Sequence, residues 1–476
     1  MSSTNRVPTL GQILRAKLDA TNATNATNAT NSVGTPVPNI SAEKQLTRLT
    51  LACMLFEGSF YVDGKTTVDT IKELIPQVGA EKVSALAIKA RTEFKLRHVP
   101  LLITRELART GKLTADTLDA VIQRPDEMSE FLSLYWKEGK TPIANQVKKG
   151  LAKAFVRFNE YSLAKFDKNS ASISLRDVMF LSHAKPTTPA MEALFKKVAN
   201  NELTTPDTWE TQLSGGADKK ATFTRLMQEK KLGALAFLRN LRNMVQAGVS
   251  DSLIREYGAS IDVSKVLPFR YIAAARIVPQ FEDMLEKMML RSLSTMEKLP
   301  GRTVLVVDTS GSMGQLISAK SDLTCLDAAL ALAILAREVC EDVVIYATAG
   351  CDRSRTHATM VIPPRSGFAL ADYIKSREVQ AKIGGGGIFF TQAMDYIAKQ
   401  ESGKKVDRVI VFTDEQDTSS HGRAFDPSKA KRLAPAGKNY VANVGTNKNG
   451  INSAEWETIT GFSEAMLDYI RESEKE

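Results

Sequence analysis

The 476-residue sequence predicts a multidomain chain, an all-α array followed by a doubly wound α/β unit. Three observations lead there. From Ser41 to about Pro300 apolar residues recur at helical spacing, interrupted by short Gly, Pro, Asp or Ser breaks. At Pro300-Gly301 the pattern changes to short β-branched runs alternating with helical stretches, as in a parallel sheet covered on both faces. The net charge of +9 is also unevenly spread: residues 41–300 carry +9, residues 301–476 carry −2 and the first 40 carry +2.

Within the first part, Ser41 and Glu43-Lys44 open an apolar run at Leu46, Leu49, Leu51 and Met54. Helical segments follow at 66–76, 80–92, 97–110, 114–122, 126–136, 143–167, 174–181, 189–199, 219–230, 232–246, 250–257 and 268–295. So many short helices without strand alternation suggest stacked pairs in a solenoid-like arrangement, although no fixed sequence period recurs. In the second part, strands are expected at 303–308, 342–347, 408–412 and 440–444, with helices at 323–339, 367–378, 390–400 and 462–473. Ahead of both, the repeated Ala-Thr-Asn triplet between Asp19 and Pro38 reads as a flexible linker, and its sequons at Asn22, Asn25 and Asn28 as by-products of the repeat.

Apolar and charged fractions of 43% and 25% are those of an ordinary globular protein. Met1 to Ala20 lacks the apolar stretch of a secretory signal, and no run approaches a membrane span. Cys53, Cys325, Cys340 and Cys351 have no CxxC spacing, so a reduced, cytoplasmic protein is expected. His98, His183, His357 and His421 are too scattered for a zinc site. Residues 131–200 alone contribute +7, a concentration that suits a polyanionic partner, nucleic acid first, or else a charge bias that only sets solubility.

One feature of the α/β part carries chemistry. Thr303-Val-Leu-Val-Val-Asp308 is a strand ending in an acid, followed by Thr309-Ser-Gly-Ser-Met313. Ligands of open α/β sheets gather beyond the carboxyl ends of strands, and a second strand ends there in Thr413-Asp414. A carboxylate and two hydroxyls at alternating positions on a tight turn suit a hard cation such as Mg²⁺; the plainer alternative is a Ser-rich helix cap. The Asp-x-Ser-Gly-Ser pattern resembles the metal-ion-dependent adhesion site of von Willebrand A domains. That resemblance implies that Asp308, Ser310 and Ser312 are metal ligands, with Asp414 acting directly or through water. The family's further ligand is a threonine in a Gly-rich loop, here Gly384-Gly-Gly-Gly-Ile-Phe-Phe-Thr391. Phe389 falls at the usual position and Thr391 two residues later, so either the extra glycines bring Thr391 into place or the site is weakened.

In the helical part, Val147, Leu151, Ala154, Phe155 and Phe158 mark a core face, while Lys149, Lys153 and Arg157 recur every four residues on another, with Lys148 beside them. Such a stripe repels itself unless a polyanion or acidic neighbours are present; it suits phosphate contacts or, alternatively, is a solvated face. Just beyond, Ser182-His-Ala-Lys-Pro186 resembles the Ser-His-x-Lys-Pro segment of the TROVE domain of the Ro autoantigen family. Thr208-Trp-Glu, Arg239-Asn-Leu and Leu267-Pro-Phe-Arg-Tyr-Ile-Ala are similar to other parts of that family. A TROVE-like half followed by an A-type half is itself the Ro arrangement.

The resemblance implies a ring of HEAT-like helical repeats closed by the A-type domain, with a tail over 1–40, a TROVE domain over 41–299 and a von Willebrand A-like domain over 300–476. It further implies binding of small noncoding, Y-like RNA on a basic outer face and of single-stranded or misfolded RNA ends in the channel. The implied contacts are His183 and Lys165, with Arg176 and Lys185 beside the motif. Trp136 and Trp209 are candidates for base stacking, with core packing the plainer role. A monomer is expected, with an exoribonuclease or another protein as a candidate partner at the metal turn. The competing function is a metal-dependent protein-interaction module with incidental RNA binding. An enzyme is not expected, since the sequence has neither a GxxxxGK[ST] loop nor an acid–base pair beside a nucleophile.

Overall fold

The computed structural model describes residues 41–52, 64–167, 172–264, 266, 268–294, 296–317, 323–414, 436–445, 456–460 and 465–475. The N-terminal repeat with its sequons, Cys53, Leu267 and His421 lie outside the described residues.

Among the described residues ten α-helices, from Ala42–Ala52 through Pro189–Asn200, share one apolar core. Their starts are set by local caps: Thr114 accepts from the Thr117 amide, Asn159 from that of Ser162, and Ser174 forms a reciprocal box with Asp177. The Asn159 cap also divides the helix expected over 143–167 into Asn145–Val156 and Glu160–Phe166. The helix Leu175–Ser182 ends on His183 in the left-handed region, φ 56° and ψ 38°.

Among the described residues the sheet has six strands: β1 (Leu299–Asp308), β2 (Cys340–Cys351), β3 (Thr356–Ile362), β4 (Arg408–Thr413), β5 (Lys438–Asn443) and β6 (Glu457–Thr460). Their order is β3-β2-β1-β4-β5-β6, parallel throughout except for the β2–β3 pair. From β1 the strands run outward both ways, to β2 on one side and β4 on the other, which makes the β1/β4 edge the topological switch point. β3 and β6, both edge strands, were not expected from the sequence. The mixed polar text Thr-His-Ala-Thr-Met-Val-Ile of β3 has no buried run to mark it.

Alternation along the strands separates two faces. Val304, Val306, Val409, Val411 and Val441 pack with Ile388, Phe390, Ile397 and Trp456. Leu305, Val307, Ile345, Ile410 and Phe412 face the helix Cys325–Val339, and this core runs on without a break into the helices Lys219–Gln228 through Glu282–Leu293. Secondary structure therefore changes at Leu299, close to where the sequence changes, but the core does not. The helices nearest the sheet are packed as part of it.

The array also returns to the sheet at its other end. The helix Ala42–Ala52 packs against Ala465–Ser473 and β6, closing a ring. At this seam Arg48 donates to the Thr458 carbonyl (2.9 Å), Lys44 pairs with Glu457 (3.1 Å) and Lys89 with Glu472 (2.5 Å). On the opposite side Arg276 and Lys375 converge on Asp327, and the Phe368 amide donates to Glu286 (2.6 Å).

Candidate metal turn and nucleic-acid interface

Parallel register between β1 and β4 brings their carboxyl ends level, with Val307 opposite Phe412. Asp308 closes β1 and Asp414 follows β4; the two are 0% and 1% exposed. The Ser310 amide donates to Asp308 Oδ1 (2.8 Å) and the Thr413 hydroxyl to Oδ2 (2.6 Å). Ser310 and Ser312 place their hydroxyls 3.2 Å apart. Burial, and then Asp414, push the Asp308 carboxyl up to about 7, against the opposing pull of Thr413 and Ser310. Burial, with Asp414 and Asp308 adding to it, likewise pushes the nearby Cys325 thiol up to about 11.

Two adjacent buried acids, with two hydroxyls on the same turn, form a donor set suited to a hard cation. Among the described residues no group of three or more His, Cys, Asp or Glu side chains is placed to hold a metal, so the hydroxyls are essential to such a site. The Gly-rich loop lies directly against the turn: Gly311 donates to the Gly386 carbonyl (3.1 Å), and a Cβ on Gly311 would stand 2.9 Å from the Gly385 oxygen. Phe389 is buried with its ring on Gly350, where a Cβ would meet it at 2.4 Å. Thr391 is half-buried in the first turn of Phe390–Gln400 and makes no hydrogen bond to the Asp308 turn.

The basic stripe is divided by its neighbours. Lys153 pairs with Asp116, while Arg157 pairs with Asp119 (2.9 Å) and donates to the Asp119 and Ile122 carbonyls. Lys148 is half-buried. Lys149, Lys153 and Lys185 instead line one groove of about 690 Å³ together with Lys112, and Asp116 is the one acid on that lining. Lys112, Lys149 and Lys185 are exposed and form no ion pair among the described residues.

Lys165 lies over the rings of Tyr161 and Phe166 (5.8 Å each), and Arg124 over Phe166 (4.4 Å). Arg176 lies over Phe180 (5.7 Å), one helical turn from the exposed His183. Tyr161 and Phe180 are 51% and 55% exposed, unusual for large aromatics and suited to base stacking. Lys112, Arg124, Tyr161 and Phe180 are absent from the sequence-based candidates. The i,i+4 spacing of Tyr161 with Lys165 and of Arg176 with Phe180 was the available signal for two of them. Trp136 donates to the Thr141 carbonyl (2.8 Å), and both it and Trp209 are partly buried against the cores.

A model of the TROVE domain family matches residues 196–360. That stretch is similar to a TROVE domain. In three dimensions the chain is similar to the crystal structure of the Deinococcus radiodurans Ro (RSR) protein, with a TM-score of 0.61 and 19% identity, over 90% of this chain and 98% of that one. The Ro-family resemblance read from the motifs is borne out, as is a helical ring combined with an A-type sheet. The TROVE match crosses the junction at Leu299 and ends within β3, so it spans the same continuous core described above. It includes the Asp308 turn, whereas Ser182–Pro186 and the lysine groove precede it. Among the described residues no helix is long and apolar enough to cross a membrane.

Proposed function

We propose that this chain is an RNA-binding protein of the Ro type. It holds structured, Y-like small noncoding RNA on the basic helical surface and takes single-stranded or misfolded ends into the ring, in the service of noncoding-RNA stability or quality control. The lysine groove carries this proposal. Four lysines surround a single acid there, and three form no ion pair among the described residues, an arrangement favourable for a chain of phosphates. Lys165 and Arg176 add charge beside the exposed rings of Tyr161 and Phe180, with His183 exposed close by in sequence, suiting unpaired bases more than duplex. Binding without turnover, a monomer and a cytoplasmic location complete the proposal.

The test is filter binding of a stem-loop RNA with a single-stranded 3′ end across a salt series. Changing Lys112, Lys149 and Lys185 together to Gln should lower affinity on the order of a hundredfold at low salt and reduce the log–log salt slope by about 2. An unchanged slope would remove the groove from the interface. RNA cleavage by the purified protein would overturn the expectation of binding alone.

The Asp308 turn favours a second activity in the same chain. Asp308, Ser310, Ser312 and Asp414 would hold a divalent cation, with Mg²⁺ proposed, and Thr391 would join them if the loop shifts. The bound ion would offer an open coordination position to a carboxylate of a protein partner, an exoribonuclease among the candidates. Loss of a co-purifying protein on Asp308→Ala, with RNA affinity intact, is the expected outcome.

A further inference from the structure

Between the helices His98–Arg109 and Pro125–Tyr135, and lined also by Phe166, Asp167 and Ser172 to Leu175, lies a cavity of about 490 Å³, distinct from the metal turn and the lysine groove. Much of its wall is apolar, with Leu101, Leu102, Phe166 and Ile173 among the lining residues. Two acids on the lining, Asp126 and Glu130, are held by Arg97, with Arg124 also on Asp126. Asp167 differs: it forms no ion pair among the described residues, and burial pushes its carboxyl up despite a hydrogen bond from the Leu175 amide. Lys137, on the same lining, is exposed and likewise without an ion pair.

A carboxylate accepts only, and an ammonium donates only. The cavity therefore presents an acceptor and a donor around an apolar slot of a size typical for small ligands. Guanine matches this set. Its N1–H and N2–H groups are adjacent donors on one edge, and O6 and N7 are acceptors that lysine commonly reads. Adenine, cytosine and uracil each lack the paired donors. Phe166, which lines the cavity, also carries Arg124 and Lys165 over its ring, so two cations stand against one of its walls.

We propose that this cavity receives one unpaired guanine of the bound RNA, with Asp167 accepting from its N1–H and N2–H and Lys137 donating to O6 and N7. The proposal rests on the RNA-binding function above and adds a base preference to it. An extruded base pays for unstacking by filling such a pocket, which favours strands that are already single.

Fluorescence anisotropy on single-stranded uridine hexamers provides the test, with one central position as guanine, inosine or uracil. The wild-type chain should prefer guanine over uracil by roughly ten- to a hundredfold, and inosine, lacking the N2 amino group, should lose most of that preference. Asp167→Asn should bind all three at the uracil level with an unchanged salt slope and melting temperature. Lys137→Gln, at an exposed position, should reduce the preference without abolishing it. Equal binding of the three hexamers by the wild type, or a preference that survives Asp167→Asn, overturns the guanine site while leaving RNA binding intact. If no hexamer binds yet guanosine monophosphate does, in an Asp167-dependent way, a free nucleotide and not RNA is the ligand. If neither binds, both proposals fail.

Discussion

The lysine groove and the Asp308 turn gather charge in opposite ways. In the groove, Lys112, Lys149 and Lys185 stand exposed on one lining, with solvent screening their mutual repulsion. At the turn, Asp308 and Asp414 are almost wholly buried, and burial first, with repulsion from Asp414 second, raises the Asp308 carboxyl. Exposed cations suit a long, variable polyanion met through its backbone. Buried acids suit one small ion held by a fixed number of oxygens. Salt should therefore govern the first site strongly and the second weakly.

Four measurements would break or sharpen that contrast, beginning with the largest effect. Asp327 sits just beyond the turn, at the start of Cys325–Val339, and answers both Arg276 and Lys375. Burial works to raise its carboxyl, but Lys375, the Thr324 amide and Arg276 outweigh this and hold it well below the usual carboxylate range. Asp327→Asn should cost about 3 kcal/mol in denaturant unfolding at neutral pH, from two charge-assisted bonds. Because the folded-state pKa is depressed, that contribution is full above the unfolded value near 4 and is lost progressively as pH falls towards the depressed folded-state value, so the gap between wild type and variant should shrink steadily below about pH 4. A gap that persists in acid would show that packing, not charge, is being lost.

Next, Mg²⁺ at about a hundred times its dissociation constant should stabilise the wild type by about 2.7 kcal/mol, and this gain should change little with added monovalent salt. Asp308→Asn should abolish it. In EDTA the same variant should be no less stable than wild type, since it removes one of two mutually repelling buried acids. A marked loss in EDTA would mean that Asp308 is held mainly by Thr413 and Ser310. Gly311→Ala should cost about 2 kcal/mol, because its Cβ would press on the Gly385 carbonyl. Calorimetry would also show whether Mg²⁺ binding falls with it. The smallest effect belongs to Lys153→Gln. Asp116 already answers this lysine, so RNA affinity should change less than threefold, whereas Lys149→Gln should change it more.

Much of the α/β unit was legible because its central strands are continuous apolar runs, each ending abruptly in a polar turn. That pattern located Asp308 and Asp414 at the same edge before any pairing was known. Phe389 and Thr391 were harder, because their placement depends on the close approach of Gly350 to the Phe389 ring and of Gly385 to Gly311, which no local pattern encodes. In the helical half, the cation stripe was visible as a four-residue period. Its division was not, since Asp116 and Asp119 answer Lys153 and Arg157 from 37 and 38 residues away. The continuity of the core across Leu299 was hidden for a similar reason. Hydrophobic period reports which face of an element is buried, not which element covers it.

The closing seam has a consequence for how the chain folds. Arg48 and Thr458 are 410 residues apart in sequence, so their pairing waits for nearly the whole chain. The helices up to Asn200 share a core distinct from that of the sheet, to which only Leu51, Ala90 and Phe94 are joined among the buried apolar residues described in that stretch. During synthesis the lysine groove is thus complete in sequence before β1 has been made. The nascent chain is first an open arc with its basic surface formed, and it becomes a ring only when β6 and the last helix arrive.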